Sequence, residues 1–335
     1  MRILKITSIA AGIPFFILFI FLLMGSIMAR WPEGNIVYKK YSIPGRLVIA
    51  HRGASYLAPE ETEPAYLLAR NMGIHYLEMD VQRTRDNVLI CFHDETLSRN
   101  TNVAETFPGR EEDPVGSFTL AELKKLDAGT WFNLRYPERA DDRYRGLRIL
   151  TLEEVLDIAE GSGRKSGLYI ETKDAHLYPG IEEQLASALA KRRWIPAPGG
   201  NKPAGDYLVT TVTGQEIAAV IFQSFDLDSL MKLQALSPQV PRIYLIKEKM
   251  KETQGWDRLL ENALSARCAG VGPVGYLGWP WNTAKAHEKN LLVHIYTINE
   301  NWQYRLFSWF GADGFFTNRS DQLASFYDIP VAGKM

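Results

Sequence analysis

From residue 47 to about residue 328 the chain alternates short apolar runs with amphipathic stretches, without a break. Runs at 47–51, 75–81, 88–93, 168–173, 218–223, 242–246, 269–273, 291–298 and 314–317 read as strands. Stretches at 63–72, 152–161, 180–193, 227–236, 256–266, 281–290 and 301–310 read as helices between them. Alternation over about 285 residues predicts a parallel sheet with helices outside it. An α/β chain of this length fits a (β/α)8 barrel with one large insertion. Two details strain that expectation. There are nine strand candidates for eight places. Residues 81 to 88 are also too few for a parallel crossover, which takes a dozen or so. Around the second and third strands, either the connection is irregular or the two pair as a hairpin. The insertion runs from about 99 to 150, rich in Asp, Glu, Arg, Gly and Pro, and long loops at strand ends are commonly lids or substrate walls.

Before the barrel, residues 6–29 hold 24 residues without a charge. As a helix they reach about 36 Å, enough to cross a bilayer. Arg2 and Lys5 precede them, which favours a cytoplasmic N-terminus and an exported remainder. A cleaved signal peptide is the competing reading. Its apolar core is shorter, however, and Ile27 stands three residues before the best cut, where a small residue belongs. The expected organisation is a transmembrane anchor or signal at 1–30, a linker at 31–45 and the barrel at 46–330. The catalytic part then lies on the extracytoplasmic side, periplasmic or extracellular, tethered through 6–29 or secreted after cleavage. Cys91 and Cys268 sit in strand-like runs and make no disulfide framework.

The site should form where barrel strands end. Those ends read His51-Arg52-Gly53, Glu78-Met79-Asp80, His93-Asp94, Glu171-Thr172-Lys173 and Tyr296-Thr297-Ile298-Asn299. Side chains alternate along a strand, so Glu78 and Asp80 share a face, as do Glu171 and Lys173. Alone, Glu-x-Asp at a strand end is more often a salt-bridged rim, and a lone His more often structural. The conjunction is what points to chemistry. Three carboxylates converging on one mouth call for a cation, and hard oxygen donors suit Ca²⁺ or Mg²⁺ better than zinc. A divalent cation with Arg52 and Lys173 is a clamp for a phosphoryl group. His51 and His93 on either side can act as base and acid. That set reads as phosphodiester cleavage by in-line displacement. A barrel glycosidase would need two facing carboxylates but neither the histidines nor the arginine. His294, on the face of Tyr296, could line the cavity from deeper down. His75, His176 and His287 read as structural.

These residues together resemble the glycerophosphodiester phosphodiesterase family. The resemblance is carried by His51-Arg52-Gly53, Pro59-Glu60-Glu61-Thr62, Glu78-x-Asp80-Val81, Thr84-Arg85-Asp86, His93-Asp94 and Arg99-Asn100-Thr101. Glu171-Thr172-Lys173, Ser224-Phe225, Tyr296-Thr297-Ile298-Asn299 and Gly311-Ala312-Asp313-Gly314 extend it over about 46–320. The stretch 102–108 and the insertion after it are most similar to the secreted or periplasmic branch. The resemblance implies a TIM barrel hydrolysing glycerophosphodiesters to sn-glycerol 3-phosphate and an alcohol. Glu78, Asp80 and Glu171 would hold Ca²⁺ or Mg²⁺, His51 and His93 would be the acid/base pair, and Arg52 and Lys173 would hold phosphate. In that scheme a neighbouring glycerol hydroxyl attacks first to give a cyclic phosphate, which water opens. Glu60 would orient a ligand or Arg52. Glu61, Phe225, Tyr296 and His294 are further candidates for substrate contact or support. Three departures stand out: Glu61 where the family usually has Asn, Tyr296 where it has Trp, and Asn318 where it has Asp.

Two rivals follow. A lysophospholipase D or sphingomyelinase-D-like enzyme on the same barrel would act on a lipid, with Phe107, Phe118, Trp131 and Phe132 of the insertion lining an apolar groove. A non-catalytic barrel binding a phosphorylated ligand is the rival outside enzymology. The net charge of -1 argues against nucleic acid as a partner, and nothing in the sequence calls for an obligate protein partner.

Overall fold

The structure is a computed structural model. It describes residues 36–161, 163–197, 199 and 207–331, together with 16, 18–23 and 27. The segment 6–29 expected to cross a membrane otherwise lies outside the described residues. Among the described residues no helix is long and apolar enough to cross a membrane.

Twelve strands are present among the described residues: β1 Leu47–Ala50, β2 Tyr76–Arg83, β3 Leu89–Cys91, β4 Leu150–Thr151, β5 Gly167–Thr172, β6 Leu208–Thr210, β7 Glu216–Ala218, β8 Val220–Ser224, β9 Arg242–Ile246, β10 Gly270–Pro273, β11 Leu292–Ile295 and β12 Gly314–Thr317. Eight of them close into a parallel barrel in the order β1-β12-β11-β10-β9-β8-β5-β2, with β2 pairing back to β1. Barrel strands are buried on both faces, which is why they read as near-continuous apolar runs. A helix follows each barrel strand, and several carry their own start signals. Thr151 and Glu154 form a capping box on Leu152–Glu160, and the Asp226 carboxylate accepts from the backbone of Asp228 and Ser229 on Leu227–Leu236.

The ninth strand candidate is a hairpin arm. β2 runs on past the barrel, and Val81, Gln82 and Arg83 pair antiparallel with Cys91, Ile90 and Leu89 of β3. The turn between them is closed by Thr84 and Val88, with Asn87 at a φ of 61°, a conformation Asn tolerates. β4 pairs antiparallel with β3. His93 therefore does not end a barrel strand, and Glu171 ends the third barrel strand rather than the fourth. The run expected at 218–223 is also divided, because Glu216–Ala218 pairs with Leu208–Thr210 as a separate ribbon.

Residues 92–149 fold into short helices and turns over their own core. Ile90, Phe92, Leu97, Val103, Phe118 and Leu126 form one cluster. Phe132 and Tyr144 form another with Ala58 and Ala65. At the opposite end of the barrel, the stretch read as a linker contains a helix, Ile36–Tyr41, with Val37 and Tyr41 buried. The Ser42 carbonyl accepts from Ala218 N–H, and the Tyr38 hydroxyl donates to Asp313 just before β12.

Candidate active site

Alternation within each strand sorts the barrel interior into layers. Tyr76, Tyr169 and Phe316 fill the lower part, with ring centroids 5.7 Å apart for Tyr76–Tyr169 and 4.9 Å for Tyr169–Phe316. Two residues further along the same strands stand Glu78 and Glu171, then Asp80 and Lys173. The carboxylates thus sit on an aromatic floor, where water is scarce.

Glu78, Asp80 and Glu171 are all buried, and each offers an oxygen within 4.8 Å of the others. Burial and the Asp80 charge push Glu171 up to about 8. Glu78 is raised well above an ordinary carboxyl by burial and by Asp80. Asp80 is held low despite burial, because Lys173, His93, Arg52 and His51 surround it. The cations are close: Lys173 Nζ lies 3.2 Å from Glu171 and 3.6 Å from Asp80, and Arg52 Nε lies 3.3 Å from Asp80 Oδ2. Asp80 Oδ2 accepts no hydrogen bond. Three crowded, desolvated carboxylates with spare oxygen valence fit a hard divalent cation, which would remove the repulsion that now favours protonation.

The turn after β1 places His51 and Arg52. Arg52 has a φ of 56° and Gly53 a φ of 82°. A Cβ on Gly53 would stand 2.8 Å from the Ala65 carbonyl carbon, so glycine is required by both conformation and space. The Arg52 N–H donates to Glu78 at 2.7 Å, tying the turn to the carboxylates. Arg52 Nη1 donates to Glu60 at 2.9 Å, and Arg99 and Asn100 donate to the same carboxylate. These cations hold Glu60 down at about 2 against its burial. Glu61 takes another position. It is 3 % exposed, has a φ of 54°, and its Oε1 accepts the Asp80 backbone N–H at 2.8 Å. It braces β2 from behind, and is not among the side chains lining the cavity.

The two imidazoles have different partners. His51 Nδ1 lies 2.7 Å from Asn318 Oδ1, and burial together with neighbouring Arg52 pushes this ring down to about 3. His93 Nδ1 lies 2.5 Å from Asp94 Oδ1, and Arg99 donates to both oxygens of Asp94. Gln82 fixes the backbone around His93, donating to the carbonyls of Phe92 at 2.6 Å and Asp94 at 2.8 Å. Tyr178 in turn donates to Gln82 at 2.7 Å.

His51, Arg52, Glu78, Asp80, His93, Glu171 and Lys173 all line one cavity of about 230 Å³, with Phe225 and Tyr296 as aromatic walls. Phe225 and Tyr296 meet edge to face at 5.8 Å. The cavity opens past His93 and Lys173 into a groove of about 870 Å³, which also takes in Asp174, His176, Asp226 and Lys247. His294 is not part of it. It is fully buried, and its Nδ1 pairs with the Tyr169 hydroxyl at 2.9 Å in the floor. Sequence reasoning missed Gln82, Gln223, which donates to Glu78 at 2.9 Å, and the groove residue His176. The available signal for Gln223 was a lone amide in an otherwise apolar strand, VIFQS, whereas Gln82 follows Glu78 and Asp80 in a strand end already polar.

A closed parallel barrel with this set at its mouth belongs to the class of barrel hydrolases that cleave phosphate diesters. The model of the glycerophosphoryl diester phosphodiesterase family matches residues 51–322. A glycerophosphodiester phosphodiesterase of Bacillus subtilis (strain 168) is 38% identical over 276 residues, 82% of this chain and 84% of its own length. One from Arabidopsis thaliana is 29% identical, covering 84% of this chain and 86% of its own. Among solved structures, an Oleispira antarctica phosphodiesterase in complex with the product sn-glycerol-3-phosphate is 25% identical, with a TM-score of 0.63 over 87% of this chain and 99% of that one. The chain belongs to the glycerophosphodiester phosphodiesterase family, and its activity is that of a phosphoric diester hydrolase of this type.

Proposed function

We propose that the protein hydrolyses small, polar glycerophosphodiesters to sn-glycerol 3-phosphate and an alcohol, with His51 and His93 as base and acid beside a metal site of Glu78, Asp80 and Glu171. The observation that carries this is the buried trio of carboxylates within 4.8 Å of one another, lining one cavity with both imidazoles. A divalent cation held by the trio, Ca²⁺ or Mg²⁺ by its oxygen donors, supplies neutralisation of phosphoryl charge. Arg52 and Lys173 add fixed positive charge at the same place. With its Nδ1 on the Asn318 oxygen, His51 turns an unprotonated Nε2 to the cavity and suits the base. The Asp94 carboxylate holds the His93 ring through Nδ1 and leaves Nε2 for the leaving oxygen, which suits the acid.

In the first step His51 takes the proton of the glycerol hydroxyl next to the phosphate, and that oxygen bonds to phosphorus. The bond from phosphorus to the alcohol oxygen breaks, and His93 gives that oxygen its proton. In the second step the roles reverse. His93 takes a proton from water, the water oxygen bonds to phosphorus, and the ring opens as His51 returns its proton to the glycerol oxygen.

The aromatic residues of the insertion favour a small head group over a lysolipid. Phe107 and Phe118 pack on each other at 5.8 Å, and Trp131 packs on Phe132 at 5.7 Å. They pack into the insertion's own core, and none of them lines the groove beside the site, whose walls are mostly charged and polar side chains together with Phe225 and Tyr296. We place the catalytic part on the extracytoplasmic side, tethered through 6–29, a reading supported by the uncharged run after Arg2 and Lys5.

The test is release of glycerol 3-phosphate from glycerophosphocholine and related diesters, with a lysolipid panel alongside. Chelator should abolish turnover and divalent metal restore it, and His51→Ala and His93→Ala should each lose at least ~10²-fold in kcat/KM. Full activity in both variants, or indifference to chelator, would overturn the mechanism. Preference for lysolipids would overturn the substrate class.

A further inference from the structure

At the end of the barrel opposite the mouth, Lys40, Tyr41, Gln234, Arg242 and Arg267 line a cavity of about 200 Å³. Arg242 opens β9 and is 1 % exposed. Among the described residues its guanidinium donates to carbonyls alone, those of Ser237, Val240 and Arg267. Its Nε is buried and has no hydrogen-bond partner. Among the described residues no carboxylate pairs with Arg242, Arg267 or Lys40. A buried cation without a counter-charge is costly, and burial pulls this guanidinium below an ordinary arginine. Gln234 and Tyr41 add polar groups on the wall, and among the described residues the charged side chains that line the cavity are all positive.

We propose that this cavity is a binding site for a phosphate-type oxyanion, held by Arg242, Arg267 and Lys40 and separate from the catalytic mouth. An arginine with a free N–H and two further cations match the oxygens and charge of a phosphate group. The phosphate can come from a free ion or monoester, or from an anionic lipid head group at a bilayer surface. None of the mouth residues lines this cavity, so the site is occupied independently of turnover.

Arg242→Ala is a poor test, because it strips three carbonyls of their donor. Lys40 and Arg267 are exposed, and Arg267 has a φ of 50°, which Asn accepts. Inorganic phosphate is titrated calorimetrically into the full chain carrying Lys173→Met, which weakens phosphate binding at the mouth. Adding Lys40→Ala with Arg267→Asn should raise Kd at least about tenfold. The same pair in the Lys173 background should leave kcat/KM unchanged. In a second arm, phosphatidylglycerol and phosphatidylcholine vesicles of different density compete for the full chain, so that insertion through 6–29 is common to both and only the preference is read. Loss of the phosphatidylglycerol preference in the double variant, with the wild-type preference abolished by added phosphate, assigns the site to a lipid head group. Loss confined to the titration assigns it to a free anion. Equal phosphate affinity and equal vesicle preference in both proteins overturn the proposal.

Discussion

Replacing Asn318 by Asp tests the assignment of His51 as base. In the wild type the ring is pushed down to about 3 by burial and Arg52, and its Nδ1 partner 2.7 Å away is a neutral amide. The acid limb of kcat/KM for a base at this value lies below the range where the folded enzyme is normally assayed. The substitution sets a carboxylate where the amide was. Opposite charges about 4 Å apart attract by about 4 kcal/mol at an effective dielectric of about 20, a ceiling of about three pKa units. Opposite-charge neighbours typically give about one to three units. The sign is upward, because the carboxylate favours the imidazolium. The His51 pKa should rise to about 4–6, and protonation then removes the base at mildly acidic pH. Steady-state kcat/KM for glycerophosphocholine should stay nearly level in the wild type from about pH 7 to 4 and fall about twofold to about a hundredfold over the same range in Asn318→Asp. Near pH 8 the two should differ little. An acid limb that does not move, in a variant that is folded and binds metal, would refute the placement of the base on His51.

Two further outcomes follow from packing and burial. His75 accepts the Val48 N–H at 3.2 Å, and burial lowers it from 6.5 to about 4. Its contribution is fully present above pH 6.5 and is lost as pH falls through about 4, amounting to about 3 kcal/mol at most. Urea denaturation of His75→Gln should therefore be less pH-dependent than the wild type between pH 6.5 and 4, and parallel curves would contradict this. Phe132 is fully buried and packs edge to face on Tyr144 at 5.6 Å. Phe132→Ala should cost about 3–5 kcal/mol, read as lowered denaturation midpoint and faster proteolysis within 99–150, and wild-type resistance would show the insertion to be held by other contacts.

The mouth residues were legible because strand alternation and strand-end position are local properties. Glu78 with Asp80, and Glu171 with Lys173, needed only the period of a strand. The hairpin was half legible: 81–88 was too short to cross over, yet nothing local said whether β2 or β3 left the barrel. The placement of His93 at the cavity depends on Gln82 reaching the carbonyls on either side of it across that hairpin, a tertiary contact that no spacing encodes. The same holds for Glu61, whose negative charge looked aimed at the ligand. Its oxygen is spent on the Asp80 backbone. The insertion's aromatics misled for a simpler reason, since composition cannot separate a wall from a core.

The hairpin off β2 divides custody of the reaction between two cooperative units. Glu78, Asp80 and Glu171 belong to a closed ring of strands with no free edge, whereas His93 rides on a lobe with its own small core. Sub-global opening of that lobe would carry away one proton carrier and leave the carboxylate trio seated. Such a form would retain metal yet not turn over, and amide exchange would reveal it as early loss of protection in 92–149 while the barrel strands stay closed.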